Sequence, residues 1–598
     1  MILQALKEYY DRKAGDPEAG LAPQGFEWKE ITYIIALKPD GTPVTLESTI
    51  EGEGRSKRAK SFLVPQAVKR SSGIRANLLW DNTEYALGLT ARGDTSHSEE
   101  KHRAFVQEIE KFSHVDDVGL SSLRSFLSIL DKEAVLSGFA LTDEMRDSGR
   151  NVSFSLSGEP GLILDRPVIR EAIGGRPKGK TSDQPRTCLI SGETAIIERL
   201  HAPIKGVRGA QSTGANIVSF NLDAFESYGK KQGTNAPIGQ NSTFAYTTAL
   251  NHLLRRDSSQ KMQVGDATTV FWAERQSDLE TQIVDIFGMP LKDDPDRGVN
   301  AVRSLYASVQ NGAYVSDTSD NRFYVLGLSP NASRIAVRFW IVDTVADMAD
   351  KIIRHFEDLK ITRPDWEREF IPLPLLLAST APQGKLDNIP PNLAGETMRA
   401  ILNGAPYPHT LLQAVITRIR AEQSARDMRG KPLPNVSYTR AALIKAWINR
   451  KMRFEQYHTE EELTMALDLE NKNIGYRLGR LFATLEKIQA ESHPGINATI
   501  RDRFYSAASG TPVAVFSNLM RLKNHHLAKL ESQGRKIVFE KLIAEIMSSI
   551  NDFPAHLNLA DQGRFAVGYY HQTQQFYTKK ESNNDTKHES TEGGISHE

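Results

Sequence analysis

The sequence predicts an α+β protein: a mixed α/β N-terminal region with antiparallel strands, followed by a C-terminal helical bundle. Two observations carry this. Phe323-Tyr324-Val325-Leu326-Gly327-Leu328 and Ile335-Ala336-Val337-Arg338-Phe339-Trp340-Ile341 flank Ser329-Pro330-Asn331. That is a hairpin pattern, and the two-residue period puts Ile335, Val337, Phe339 and Ile341 on one face of its second strand. From about residue 370, proline-punctuated links join strongly helical stretches at 411–425, 438–454, 475–491 and 512–530. At 598 residues the chain is too long for one core. It divides by texture into an α/β region (1–365), a helical connecting region (366–460), a helical bundle (461–577) and a polar tail (578–598).

In chain order, Ile2, Leu6, Tyr9 and Tyr10 mark a short amphipathic helix closed by Asp11, Arg12 and Lys13. Ile31–Leu37 and Val44–Leu46 flank Lys38-Pro39-Asp40-Gly41, whose residues favour the turn dihedrals of a hairpin. Residues 101–150 read as helical, and 151–300 as short strands between glycine-rich loops, notably Lys205–Asn216. After the second hairpin, Val345, Met348, Ile352, Phe356 and Leu359 fall at helical steps, giving a β-β-α unit suited to a ferredoxin-like or RRM-like layer. Beyond Lys579 the chain is polar and free of aromatics, the composition of a disordered tail. No fixed-period repeat occurs.

The 74 Lys and Arg balance 74 Asp and Glu, so net charge alone says nothing for a nucleic-acid partner. A single cysteine, Cys188, allows neither an internal disulfide nor a thiolate zinc site and fits a reducing cytoplasm. The first residues lack the basic and apolar runs of a signal peptide, and no run approaches the ~20 apolar residues of a membrane span. A cytoplasmic protein is the expectation.

Gly174-Gly175-Arg176-Pro177-Lys178-Gly179-Lys180-Thr181 satisfies the Walker A pattern. That mechanism also needs a strand entering the loop and a helix leaving it, whose amides hold the phosphates. Here Ser182-Asp183-Gln184-Pro185 follows, then the strand-like Cys188-Leu189-Ile190, and the proline both removes an amide and disfavours a helix. A basic surface loop is the preferred reading, with a P-loop nucleotide hydrolase as the rival. There is no H-E-x-x-H, G-x-S-x-G or cysteine–histidine zinc spacing. Asp116-Asp117 and Asp293-Asp294 read as caps or turns rather than two-metal sites, and His525-His526 as a polar face beside one packed imidazole. The expectation is a non-enzyme with no catalytic residue, metal or cofactor.

Four basic zones stand against the neutral total. Arg55–Arg75 has no acidic residue and runs into Ser71, Ser72, Gly73, Arg75 and Asn77, where small residues let amides approach phosphates. A solvated loop and a phosphate contact both fit it. The second zone, Lys205–Asn216, carries Lys205, Arg208, Gln211, Ser212, Thr213 and Asn216; Gln and Asn pair with adenine, Arg with guanine. Docking on a neighbouring protein is its alternative. The third, Arg418–Arg453, sets ten Lys and Arg against Glu422 and Asp427 alone, interleaved with Tyr438 and Trp447, an excess that favours a polyanion. In the fourth, Phe516, Leu519, Met520, Leu527 and Leu530 form the buried side of a helix. Arg521, His525 and Lys529 recur at four-residue steps on another, with Arg501, Arg503 and Lys523 nearby. The pattern is that of a multidomain, nucleic-acid-associated protein; a scaffold binding only proteins is the other reading.

Several segments together resemble the large subunit of type I-C CRISPR Cascade, the Cas-eight-c (Csd-one) family. They include Met1-Ile2-Leu3-Gln4-Ala5-Leu6 with Tyr9-Tyr10, Phe62-Leu63-Val64-Pro65, Arg70-Ser71-Ser72-Gly73-Ile74 and Leu79-Trp80-Asp81-Asn82. The closest run goes from Lys205-Gly206-Val207 through Val218-Ser219-Phe220-Asn221 and Ala224-Phe225-Glu226-Ser227-Tyr228-Gly229-Lys230 into Phe244–Asn251 and Gly265–Glu274. Gly327-Leu328-Ser329-Pro330-Asn331, Val337-Arg338-Phe339-Trp340, Arg440–Ala446 and Leu478–Ala483 continue it, so the likeness spans residue 1 to about 577.

The resemblance implies a non-catalytic subunit at the foot of a crRNA-bearing backbone, against the subunit that holds the crRNA 5′ handle. It implies reading of a protospacer-adjacent motif in double-stranded target DNA, help with R-loop formation, and recruitment of the Cas helicase–nuclease. It also implies a C-terminal bundle similar to a Cascade small subunit, with a separate small subunit started internally; Met465 is a start of suitable extent. Together with the local chemistry it assigns Ser71, Ser72, Gly73, Arg75, Asn77 and the Lys205–Asn216 residues to motif DNA. Arg501, Arg503, Arg521, Lys523, His525 and Lys529 are assigned to the displaced strand.

Overall fold

The computed structural model describes residues 1–14, 16, 19–52, 57–68, 70, 73–90, 95–174, 185–290, 292–311, 320–455 and 462–577. The chain divides into two compact units. One comprises Met1–Arg256 with Pro330–Ile335; the other comprises Asp257–Ser329 and the chain from Ala336 onward.

In the first unit the predicted N-terminal helix is present as Ile2–Ala14, burying Ala5, Leu6 and Tyr9. Tyr10 meets Phe244 of the Gln240–Leu253 helix edge-on at 5.6 Å. The first hairpin, Tyr33–Leu37 with Pro43–Ser48, turns where Pro39-Asp40-Gly41 predicted. The Lys38 N–H donates to the Thr42 carbonyl at 2.9 Å, and Gly41 holds φ 92°, a conformation that favours glycine.

The sheet order is Pro43–Ser48, Tyr33–Leu37, Asn151–Leu156, Trp80–Asn82. One feature departs from the antiparallel expectation: Tyr33–Leu37 pairs in parallel with Asn151–Leu156, with Tyr33 opposite Val152. Helices at Thr95–Glu110, Val118–Leu127, Lys132–Leu136 and Thr142–Ser148 fill the crossover, as a parallel connection requires. Phe105 and Phe126 pack on Phe154 of the sheet. Asp117 is a cap: its carboxylate accepts the Gly119 and Leu120 N–H groups and pairs with Arg166 at 2.7 Å. Past residue 156 the first unit is mostly loop, and the strand expected at 188–190 lies earlier, at Arg186–Thr187, with Cys188 buried.

A second sheet is ordered Lys261–Val264, Ala267–Ala273, Arg322–Asn331, Arg334–Thr344, and all of it except the hairpin tip Pro330–Ile335 falls in the second unit. Its hairpin is longer than predicted. Ser329, Pro330 and Asn331 continue the strand, and the chain reverses at Ala332-Ser333, with Ala332 at φ 52°. A two-residue turn with positive φ matches the twist of its strands better than a three-residue one, which pattern alone does not show. Of the four residues predicted to share a face, Ile335, Phe339 and Ile341 are buried and Val337 is exposed. The following helix, Val345–Leu359, buries all five predicted residues, and the Thr344 hydroxyl caps it by accepting the Asp347 N–H at 3.0 Å.

The C-terminal helices gather round Ile474–Ser492 and Leu559–Tyr577. Glycine sets their approach. A Cβ on Gly479 would overlap the Phe565 carbonyl, one on Gly475 the Asp561 carbonyl, and one on Gly568 the Tyr476 carbonyl. Phe482, Tyr505, Phe565 and Tyr569 form an aromatic cluster beside this contact. No helix of the described residues is long and apolar enough to cross a membrane. The predicted disordered tail, 578–598, lies outside the described residues.

Candidate nucleic-acid interface

The Lys205–Asn216 loop is closed at its base by two backbone bonds between Ile204 and Ala215, at 2.8 and 2.9 Å. Val207 is buried, and Gly206, at φ 86°, presses so closely on the Leu254 carbonyl that no side chain fits. The Lys205 N–H donates to Asn251 Oδ1 at 2.8 Å. Two turns follow, Ala210 N–H to Val207 C=O and Gly214 N–H to Gln211 C=O. They leave the side chains of Lys205, Arg208, Gln211, Ser212 and Thr213 exposed. Asn216 has another role than the sequence predicted. Its Nδ2 donates to the His201 carbonyl at 3.0 Å and its backbone joins Ser333 and Ile335, so it braces the loop.

In the first zone, Ser71 and Ser72 lie outside the described residues. Gly73 and Arg75 are exposed. Asn77 is buried: its Oδ1 accepts the Val68 N–H at 2.9 Å and its own N–H donates to Asp81 Oδ2 at 2.8 Å. It is a bracket for the chain, not a reader of bases. Arg70 pairs with Asp81, donates Nε–H to the Arg75 carbonyl at 2.7 Å, and lies 3.9 Å from the centre of the Tyr85 ring. Burial pushes the Asp81 carboxyl up from its ordinary value against the bonds from Asn77 and Arg70.

The third zone is corrected most. Arg440, Lys445, Arg450, Tyr438 and Trp447 are all buried. Arg440 donates to the Ser379 and Asn435 carbonyls at 2.8 Å each, and Lys445 to the Asp358 carbonyl at 3.1 Å. Arg450 pairs with Asp358 at 3.1 Å and also holds the Ala400 and Ala405 carbonyls. These cations tie helix ends together inside the unit, and a polyanion cannot reach them.

On the Val513–Ala528 helix, Arg521, His525 and the adjoining Lys529 are exposed on one face, as the four-residue spacing predicted. Phe516, Leu519 and Leu527 are buried on the other. Lys529 Nζ lies 3.0 Å from His493 Nε2, and the His493 ring stands edge-on to His526. Burial, then the charges of His493, Lys529 and His525, hold the His526 pKa below the ordinary histidine value. Arg503 is exposed and Lys523 half-buried. Arg501 is buried between Asp502 at 3.5 Å and Glu486 at 3.9 Å, so it holds the fold rather than offering a free guanidinium.

Gly174 ends a helix, Pro167–Gly174, and the next described element after residues 175–184 is the Arg186–Thr187 strand. The flanks are the reverse of strand-then-helix. Among the described residues, no group of three or more His, Cys, Asp or Glu is placed to hold a metal ion.

One exposed feature was missed by sequence reasoning. Tyr228 is 97% exposed at φ 54°, a left-handed conformation that costs a tyrosine about 1 kcal/mol or more. Asn235 locks the loop: its Oδ1 accepts the Ser227 N–H and its Nδ2 donates to the Lys230 and Gln232 carbonyls, all at 3.0 Å. Gly229 after it marks a turn, but nothing in the sequence signals the left-handed tyrosine itself.

No curated protein matches the chain. Residues 6–577 match the family described as CRISPR-associated protein (Cas_Csd1). That match spans the braced Lys205–Asn216 loop, the sheets of both units and the glycine-set helix pair, and the chain belongs to the Cas_Csd1 family of CRISPR-associated proteins.

Proposed function

We propose that the chain is the non-catalytic large subunit of a type I-C Cascade complex and that it reads the protospacer-adjacent motif in double-stranded DNA. In this reading it aids R-loop formation, steadies the displaced strand along the Arg521, His525 and Lys529 face, and recruits the helicase–nuclease. The match to a CRISPR-associated family over residues 6–577 supports this reading. Its partners in the proposal are the crRNA-bearing backbone, the 5′-handle subunit and the small subunit.

The observation that carries the reading is the Lys205–Asn216 loop. Its base is fixed by backbone bonds while Arg208, Gln211, Ser212 and Thr213 face solvent with no carboxylate among them. A rigid frame that presents an arginine and an amide is what base-edge recognition needs.

The test is duplex binding by the chain co-expressed with its backbone subunits and crRNA, on targets with and without the flanking motif. Binding that needs both guide match and motif, and that loses its motif dependence in an R208A/Q211A variant, supports the reading. Binding indifferent to the motif overturns it and leaves a protein scaffold. ATP turnover abolished by Lys180→Ala would replace it with a nucleotide hydrolase.

A further inference from the structure

The first unit contains a cavity of about 330 Å³ beside the Lys205–Asn216 loop. This lies at the small end of the ~300–1,000 Å³ typical of ligand pockets. One wall comes from the segment Gly20–Trp28 and the other from the Gln240–Leu253 helix and the residues just after it. Phe26, Trp28 and Phe244 make the walls aromatic, and the lining is more apolar than polar. The Trp28 indole is fixed, because its Nε1–H donates to the Gly20 carbonyl at 2.7 Å, and yet the residue is 45% exposed.

Cations crowd the same cavity: Lys205, Arg255 and Arg256 line it, against one carboxylate, Glu27, whose Oε1 accepts the Ala67 N–H at 3.3 Å. Burial, then the nearby Lys205 charge, hold the Lys29 ammonium below its ordinary pKa against the opposing pull of Glu27, Asp81 and Glu30. Two polar groups are placed to orient a ligand. Gln66 and Thr248 line the cavity and carry an amide and a hydroxyl, whereas Thr247 is engaged with the Thr243 carbonyl and Asn251 with Lys205 and Pro203.

An aliphatic ligand would make no use of the cationic rim, and a bare phosphate would leave the aromatic interior empty. A flat unsaturated ring joined to a phosphate satisfies both. We propose that the cavity holds one unstacked nucleotide, with its base against Trp28, its edge at Gln66 and Thr248, and its phosphate at Lys205, Arg255 and Arg256. The volume takes a single nucleotide rather than a run. The inference rests on the nucleic-acid reading above and adds to it a pocket for an extruded base, which shares Lys205 with the exposed loop. The nucleotide has two sources, the guide RNA and a DNA strand of the opened target.

The test places the photo-crosslinker p-benzoylphenylalanine at Leu21, a lining residue with no assigned contact to the nucleotide, in the full chain in complex with backbone subunits and guide, with each strand labelled in turn. A crosslink to one nucleotide of one strand supports the pocket. If it forms before target is added the source is the guide; if only with target, it is DNA. A complex that binds target with wild-type guide and motif dependence yet crosslinks no strand, or crosslinks only protein, overturns the pocket and leaves the broader reading intact. A complex without motif dependence overturns the broader reading, whatever the crosslink shows. Trp28→Ala, which removes the stacking wall, is expected to weaken binding of that strand about tenfold, with Trp28→Phe near wild type. Equal binding by both variants and wild type also overturns the pocket.

Discussion

Arg480 and Glu545 form a two-pronged ion pair, Nη2 to Oε2 at 2.7 Å and Nη1 to Oε1 at 3.1 Å, with the arginine fully buried and its Nε–H donated to Gln572 at 3.2 Å. Removing the acid strands a guanidinium in the core. Glu545→Ala is expected to cost about 3 kcal/mol, and adding Arg480→Met to recover part of that, because the stranded charge goes too. Urea unfolding followed by circular dichroism measures both. A double variant no better than the single would show that the pair is not the source of the loss.

The glycine contacts make a sharper contrast. Gly479→Val drives a side chain into the Phe565 carbonyl, an overpacking with no flexible neighbour to give way, and is expected to cost at least about 3 kcal/mol. Gly395, in the Pro391–Leu402 helix, has nothing within 4 Å of the point where a Cβ would sit. Gly395→Ala is therefore expected to stabilise by about 0.5–1 kcal/mol through helix propensity. Thermal melts of the two variants should move in opposite directions.

If the Arg503, Arg521, Lys523 and Lys529 face follows a phosphate backbone, neutralising it weakens binding on all sequences alike. Each lost phosphate contact is expected to flatten the plot of log affinity against log salt by about 0.7–0.9. Arg501→Ala should act differently, lowering the unfolding temperature, since its charge is already taken up by Glu486 and Asp502. Titrations at several salt concentrations, beside melts, separate the two.

Two buried histidines give an acid-sensitive term. Burial lowers the pKa of His355 to about 3, and of His571 likewise to about 3. In His571 the Nδ1 lies 2.9 Å from the Tyr476 hydroxyl, which itself accepts the Asp468 N–H. The hydroxyl then donates to Nδ1, a bond that the neutral ring accepts and a doubly protonated ring cannot. Unfolded, each ring takes up a proton near pH 6.5, so the unfolded state binds more protons between that value and about 3. Stability is fully present above ~6.5 and falls with pH across the window, by at most about 1.4 kcal/mol per unit per histidine. His571→Gln should shallow the decline of melting temperature between pH 6.5 and 4; an unchanged slope would rule the residue out.

The amphipathic helix Val345–Leu359 and the Pro39-Asp40-Gly41 turn were legible because each depends on neighbours within a few residues. The parallel pairing of Tyr33 with Val152 was not, since it is decided across more than a hundred intervening residues. The basic zones show the same limit in chemical form. Arg521 and Arg450 look alike as letters, but one faces solvent while the other holds Asp358 and two carbonyls in the interior. Asn77 and Asn216 misled for a related reason: an amide that suits an adenine edge suits a backbone N–H or carbonyl equally well. Burial decides between the two, and it is a property of the folded whole.

The helix Leu559–Tyr577 is sandwiched, and that bears on any shorter product started at Met465. Such a product would keep the Gly479–Phe565 contact, since both partner helices lie within it. It would lose Leu412, Ile444 and Ile448, whose side chains cover Gly563, and Thr362, whose carbonyl receives the Tyr570 hydroxyl at 2.8 Å. The fragment would thus carry a ready-made apolar seam with a vacancy the width of one helix. It is expected to self-associate in sedimentation experiments when alone, and to become monodisperse once another chain lays a helix into that seam.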